Sequence, residues 1–311
     1  MITSTQKQTA LAILNIFETD AVLGDYGNVT LLEGDTGHLT YGRSQTTLGS
    51  GNLAKLIRSY CDNPGARFAA RLRPYLPKLD ARDIALDQDD LLQNILRASA
   101  DDIVMRDTQD QFFDTVYWAP ALNAANAAGL QTPLGMTVVY DGEIQGSWGA
   151  MRDLTNARVG SIAANGEQAW LAAYVDVRRE WLSTNQNAAL HSTVYRMDAI
   201  KRLIELNEWT LDLPLVVLGL EISTATLQGL PPNCYDGPAP GSRQLATGTP
   251  LLKGLDVRLV QLGLSTCGVD IKADGLFGKA SANAVRQYQT SKGLPVTGVA
   301  DIALIMQLVA A

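Results

Sequence analysis

Residues 15–53 read NIFETDAVLGDYGNVTLLEGDTGHLTYGRSQTTLGSGNL, and two carboxyls stand out within them. Glu18 ends an apolar-periodic segment, and Asp35 follows 17 residues later inside the turn Gly34-Asp35-Thr36-Gly37. Upstream, Ala10, Ile13, Leu14 and Phe17 recur at helical spacing, and Thr3, Ser4 and Thr5 all offer N-caps, which predicts a helix over Thr3 to Phe17. Glu18 falls one turn beyond Leu14, at the edge of that stripe, where partial desolvation would keep a carboxyl protonated as an acid. Downstream, Asn28 to Leu32 is rich in β-formers, Glu33 to Gly37 reads as a turn, and Leu39-Thr40-Tyr41 returns as a second strand. A helix end and a hairpin would then flank a cleft. One carboxyl beside apolar residues and one among polar turn groups is the arrangement that acid-assisted glycoside hydrolysis needs. Taken singly, each has a plainer reading, as a solvated residue at a helix end and as a turn former.

The chain has 311 residues, enough for one large domain and a small one. Its 46% hydrophobic and 18% charged residues are ordinary globular composition. No apolar run is long enough for a membrane span. The N-terminus lacks a basic region and a small-residue cleavage site, so it reads as the first helix rather than a signal peptide. A net charge of −7 disfavours a nucleic-acid partner. Residues 246–311 hold six Lys or Arg against four Asp, a net of +2, which leaves −9 for residues 1–245. Cys61, Cys234 and Cys267 have no CxxC spacing, and His38 and His191 are the two histidines, so a zinc site or a Cys–His nucleophile pair has few candidates. Cys234 and Cys267 could pair outside the cytoplasm; three buried thiols are the alternative.

Around the opening stretch, a Glu after an apolar helix, a Tyr, and then G-D-x-x-x-x-T-x-G (Gly34-Asp35 through Thr40-Tyr41-Gly42) resembles the catalytic segment of the glycoside hydrolase family 46 chitosanases, relatives of the lysozyme superfamily. Val104 to Asp141, VMRDTQDQFFDTVYWAPALNAANAAGLQTPLGMTVVYD, is similar to the family's Q-D…Y-x-x-P-A…A-x-x-x-G-L…Y-D stretch. Val194 to Leu215, VYRMDAIKRLIELNEWTLDLPL, is similar to its R-x-D…N-x-x-x-L-x-x-P-L segment. The three matches are ordered and cover roughly residues 10–220. The resemblance implies an α+β, predominantly helical, two-lobed lysozyme-like domain with a small β-hairpin at the cleft. It implies Glu18 as general acid, Asp35 as the carboxylate that activates water from the opposite face, and Thr40 as the hydroxyl that helps hold that water. Asp141 and Arg196 fall where the family has charged residues supporting the catalytic carboxylates; a structural ion pair in the core is the alternative.

Two departures bear on substrate. Chitosanases place an acidic residue 17 positions beyond the catalytic Asp, where it holds a glucosamine ammonium, and here that position is Asn52. The family's Arg within D-G-R-G is absent from Asp35-Thr36-Gly37-His38, unless Arg43 substitutes. An Asn lacks the charge that selects an amine but can hydrogen-bond an acetamido group. Tyr26, Arg43 and Asn52 are accordingly the candidate substrate-binding residues, with Trp148 added from the Gly-flanked loop Gln145-Gly146-Ser147-Trp148-Gly149. Trp118, Trp170, Trp181 and Trp209 could also stack on sugars, although core packing is the plainer role for any Trp. Helical texture covers Leu79–Arg97, Asp107–Ala128, Gly166–Ser183 and Leu190–Trp209.

Residues 228–250, QGLPPNCYDGPAPGSRQLATGTP, hold five Pro and four Gly and read as a linker after a catalytic domain over 1–227. In 251–311, Leu255 to Leu262 and Ser281 to Lys292 have helical periodicity, with Leu255, Leu259 and Leu262 on one face. The turn Asp274-Gly275-Leu276-Phe277-Gly278, Ala284-Val285-x-x-Tyr288-Gln289 and Gly293-Leu294-x-Val296-x-Gly298 resemble the peptidoglycan-binding type 1 module, which implies three helices. Together the two resemblances predict a monomeric peptidoglycan hydrolase. It would cleave β-1,4 bonds of glycan strands with inversion, its carboxyls roughly 6.5–9.5 Å apart, with no metal or organic cofactor and no membrane or nucleic-acid partner. The alternatives are a chitosanase acting on glucosamine polymers and a non-catalytic wall-binding protein. Action on the cell wall, extracellular or periplasmic, is expected, by leader removal, a secretion system or phage lysis.

Overall fold

The computed structural model describes residues 2–32, 34–43 and 45–310. It divides into two compact units, residues 2–24 with Phe113–Gly229, and Asp25–Phe112 with residues 230–310.

The first unit is helical. Thr3 starts its N-terminal helix with a capping box: the Gln6 amide donates to Thr3 Oγ1 at 3.2 Å, and the Thr3 amide donates to Gln6 Oε1 at 2.9 Å. The helix runs Ser4–Thr19 and ends at Asp20 in the left-handed conformation. Its buried face holds the predicted Ala10, Ile13, Leu14 and Phe17. Residues Pro133 to Gly142 of the helix Pro133–Ile144 are all buried, so this element runs through the core rather than along it. It starts with Thr132 as cap and Pro133 at the first turn, where a missing N–H costs nothing. The helix Glu167–Thr184 packs against Trp148–Val159 and Val194–Glu205. The single helix expected over Asp107–Ala128 is instead Ile103–Phe113, a wide π turn at Asp114–Trp118, and Ala119–Ala128. Pro120 has no N–H to offer the regular ladder there, which accommodates a widened turn.

The second unit carries the hairpin, which has three strands rather than two. Val29–Thr30 pairs antiparallel with Thr40–Tyr41, and Thr40–Tyr41 with Thr46–Thr47. Thr46–Thr47 lacks alternation and stands among Gly and polar residues, so no pattern marked it. Leu39, Tyr41 and Leu48 anchor this small sheet in a core with Leu53, Ile57, Leu92 and Leu96, and the Tyr41 hydroxyl meets Ser99 Oγ at 2.9 Å.

Residues 251–310 contain the three expected helices, Leu255–Thr266, Lys279–Ser291 and Ile302–Ala310, with Leu252–Lys253 paired to Leu276–Phe277. The physical reason for the Asp-Gly turn motif is Gln261. Its amide donates to Asp274 Oδ1 (2.8 Å), the Leu276 carbonyl (3.1 Å) and Ser281 Oγ (3.1 Å), and its carbonyl accepts from the Gly275 amide (2.7 Å). Cys61 and Cys234 are buried, Cys267 is exposed, and all three are free.

Asp101 is a fully buried carboxylate in this unit, 3.1 Å from Arg258 Nη1. Burial pushes its carboxyl up to about 6, more than Arg258 and the Tyr235 amide pull it down. A folded value above the unfolded one stabilises the fold fully below about pH 4 and is lost as pH rises to about 6. Wild type should therefore lose stability relative to Asp101→Asn between about pH 4 and 6, by on the order of 2 kcal/mol, with a flat difference above. Denaturant unfolding across that window checks this; a pH-independent difference would refute it.

Candidate active site

Glu18 lies in the last turn of the helix Ser4–Thr19, in the first unit. Its side chain, at the edge of the apolar stripe, is 43% exposed and faces a guanidinium. Arg196 Nη2 donates to Glu18 Oε1 at 2.6 Å, while Arg196 Nη1 donates to Asp141 Oδ1 at 2.9 Å. Asp141 is fully buried, and its other oxygen accepts from Arg178 Nη1 at 2.7 Å. Arg178, also fully buried, reaches Gln145 Oε1 at 2.6 Å with its second nitrogen. Burial works against the Arg196 charge, but the Asp141 carboxylate and Glu18 outweigh it and hold its pKa above the ordinary arginine value. The result is a charge chain, Arg178–Asp141–Arg196–Glu18, that is closed to water at one end and open at the other.

The predicted Glu18, Asp141 and Arg196 therefore come together, and two residues that the sequence reading missed join them. Arg178 sits on the buried stripe of its helix, with Trp170, Tyr174 and Leu182 at four-residue spacing, and an Arg in that register was the available signal. Tyr195 donates its hydroxyl to the Phe17 carbonyl and packs edge-on to the Phe17 ring at 6.1 Å. This satisfies a helix-end carbonyl one residue before Glu18 and fixes the last turn.

Asp35 belongs to the second unit, in the exposed turn before the middle strand. The Gly37 amide donates to Asp35 Oδ1 at 3.1 Å, and the Gly49 amide donates to the Gly37 carbonyl at 2.9 Å. Gly49 has to be glycine here, because a Cβ would lie 2.3 Å from the Thr36 carbonyl oxygen. Asp87 clamps the far side of the turn, taking the Leu39 amide and His38 Nδ1, each at 2.8 Å. The Thr40 hydroxyl donates to the His38 carbonyl at 3.0 Å, which leaves its oxygen as an acceptor.

Of the substrate-binding candidates, Asn52 is half-buried at the first position of the helix Asn52–Asp62, with Lys55 Nζ 3.5 Å from its Oδ1. The other three are placed differently from expectation. Trp148 is 3% exposed, edge-on to Trp170 and tilted on Tyr174, so its ring has no face for a sugar. Tyr26 is buried and donates to Asp110 at 2.7 Å. Arg43, its side chain 6% exposed, pairs with the same Asp110 and lies over the Tyr26 ring at 5.5 Å, so it is committed there and does not replace the missing turn arginine. Trp148 fills the core, and Tyr26 and Arg43 pair with the half-exposed Asp110.

A model of glycosyl hydrolase family 46 matches residues 12–215. A chitosanase of Bacillus subtilis strain 168 is 30% identical over 234 residues, covering 68% of this chain and 81% of that protein. The chain belongs to glycosyl hydrolase family 46. This family-46 member is thus a glycoside hydrolase, and residues 253–308 also match the peptidoglycan binding domain model. A chitosanase of Streptomyces sp. strain N174 is 27% identical over 163 residues, covering 50% of this chain and 57% of that protein. Among solved structures, the Gynuella sunshinyii family 46 chitosanase in complex with chitotetraose gives a TM-score of 0.57 at 26% identity, covering 72% of this chain and 99% of that one. Native chitosanase from Bacillus subtilis MY002 gives 0.56 at 27% identity, covering 70% and 95%. The lysozyme-like fold expected of the family is the one observed.

Removing one partner from a buried ion cluster leaves an uncompensated charge. Asp141→Ala should lower unfolding stability by about 3–5 kcal/mol, whereas Glu18→Gln, at the open end, should change it by less than about 1 kcal/mol. Guanidinium titrations of both variants give the comparison, and equal losses would contradict the charge-chain account.

Proposed function

We propose that this glycoside hydrolase is a chitosanase, an inverting hydrolase of β-1,4-linked glucosamine polymers that works outside the cell. The observation that carries the reading is Glu18 held by Arg196 at the open end of a buried charge chain, in a family-46 sequence whose relatives are chitosanases. Those relatives support chitosan over the peptidoglycan expected from the sequence.

Glu18 gives its proton to the glycosidic oxygen as the bond breaks. The carboxylate this leaves lies 2.6 Å from Arg196 Nη2, so the arginine stabilises the state that the acid reaches. Arg196 stays charged throughout because Asp141 matches it from behind. Asp35 takes a proton from a water on the opposite face of the ring. Thr40, its hydroxyl hydrogen already given to the His38 carbonyl, accepts that water's other hydrogen and aims its lone pair at the anomeric carbon. A second carboxylate that activates water, rather than attacking the sugar itself, gives inversion.

A second reading, hydrolysis of peptidoglycan strands, is favoured by two observations. Residues 253–308 match a peptidoglycan binding domain. Lys55 beside Asn52 puts a cation where an amine would otherwise be held, and Asn52 suits an acetamido group.

Reducing-end assays on deacetylated chitosan, partly N-acetylated chitosan and purified sacculi separate the readings. Chitosan cleavage is the expected result; lysis of sacculi with both chitosans intact would replace it with the second reading. Glu18→Gln and Asp35→Asn should each lower kcat by about 10²–10⁴-fold, and NMR of the nascent reducing end should show the α-anomer. A β-anomer would rule out the water-activating role of Asp35.

A further inference from the structure

The helix Leu255–Thr266 is buried on two opposite sides. Val257, Val260 and Leu264 face the module's own core with Phe277, Val285 and Ile305. Leu262 lies instead in the core of residues 39–105, with Leu259 packed at its edge. Two leucines of the predicted stripe, Leu259 and Leu262, thus cover the hairpin-bearing segment rather than the module interior.

The polar groups along this seam are matched as in a domain core. Asn94, 1% exposed, donates to the Ile271 carbonyl at 2.7 Å and Ser265 Oγ at 3.0 Å, and its Oδ1 accepts from the Ala273 amide at 2.8 Å. Arg258, 2% exposed, donates to the carbonyls of Arg97 (2.9 Å) and Asn233 (2.8 Å) and to Asp101 Oδ1 (3.1 Å). Its guanidinium lies 4.7 Å from the centre of the Tyr235 ring, in the Pro/Gly-rich segment. Tyr235 is itself fixed at both ends, its amide donating to Asp101 Oδ1 at 2.7 Å and its hydroxyl to the Asp274 carbonyl at 3.2 Å. The stretch 228–250 therefore has its own bonds to both sides of the seam. Undocking would break these matched contacts together and return Leu259 and Leu262 to water, so the seam opens only at the combined cost of both.

We propose that the 253–308 module is a built-in part of the Asp35-bearing unit, so that a glycan strand held by the module meets that unit in one fixed register rather than within reach of a tether. A tethered module raises local substrate concentration to a degree set by linker length, whereas a docked one acts by position and is indifferent to it. The proposal concerns packing and stands without the chitosanase reading; only its activity arm rests on that reading.

Calorimetry of the full chain, wild type against Arg258→Ala combined with Asn94→Ala, tests the docking. Wild type should unfold the module together with the Asp25–Phe112 segment, and the double variant should release the module as a separate transition at lower temperature. A wild-type module that melts on its own would overturn the proposal, whatever substrate the enzyme cleaves. In the activity arm, the undocked variant should lose about fivefold or more on insoluble chitosan while cleaving glucosamine hexamer within about twofold of wild type. Equal rates on the polymer would overturn the fixed-register part. Should the double variant fail to fold, a ten-residue Gly/Ser insertion after Gly248 serves: polymer hydrolysis within about twofold of wild type supports docking, and a fall following the longer tether refutes it.

Discussion

Burial of the Asp141 carboxylate constrains the whole of the first unit. An ionised carboxyl without water is tolerated only when opposite charge and hydrogen bonds replace its hydration. Here two arginines from two other helices supply both, one to each oxygen. Those helices must pack where their guanidinium groups can reach, so a single charge fixes the mutual placement of Pro133–Ile144, Glu167–Thr184 and Val194–Glu205. The planar fork of Arg196 then carries that order outward, because the nitrogen not used on Asp141 points at Glu18 on a fourth helix. A fixed acid at a half-open surface follows from a buried anion that needed partners.

The other carboxyl is held by different means. Among the described residues no arginine pairs with Asp35; backbone geometry restrains it, through the Gly37 amide, the close approach of Gly49 and the Asp87 clamp on His38 and Leu39. Hydrogen bonds from neutral amides orient a carboxylate without matching its charge, and its exposure leaves it hydrated. On the proposed mechanism this contrast suits the two roles. The acid must be stabilised as an anion at the end of its step, whereas the base must be free to take a proton from water.

Elements whose logic is local were legible in the sequence. The first helix announces itself by its caps and its 3-4 spacing, and the Gly34–Gly37 turn by its composition. What depended on partners distant in the chain was not. Arg178 follows the apolar register of its helix and reads as a solvated charge until Asp141, 37 positions away, is seen beside it. Trp148 stands in a Gly-flanked segment that suggests a loop, yet it begins a helix and fills the core against Trp170 and Tyr174. Tyr26 and Arg43 look like ligands for the same reason: polar and aromatic groups near a catalytic turn are equally suited to satisfying a neighbour, here Asp110. Leu259 and Leu262 carry a correct helical stripe whose target periodicity cannot name.

The substrate is where local and distant evidence pull apart, and the chemistry of Asn52 narrows the gap. Its amide offers both a donor and an acceptor, and Lys55 beside it disfavours a second ammonium. The group matching that pair is an amide on the sugar, and an acetamido group is common to partly acetylated chitosan and to peptidoglycan. On the proposed substrate-binding role of Asn52, the surface near it would distinguish an acetylated ring from a free amine, not one polymer from the other. On that proposal, polymer choice would come from elsewhere along the strand, and a module that shares buried polar contacts with the Asp35-bearing unit is placed to supply it.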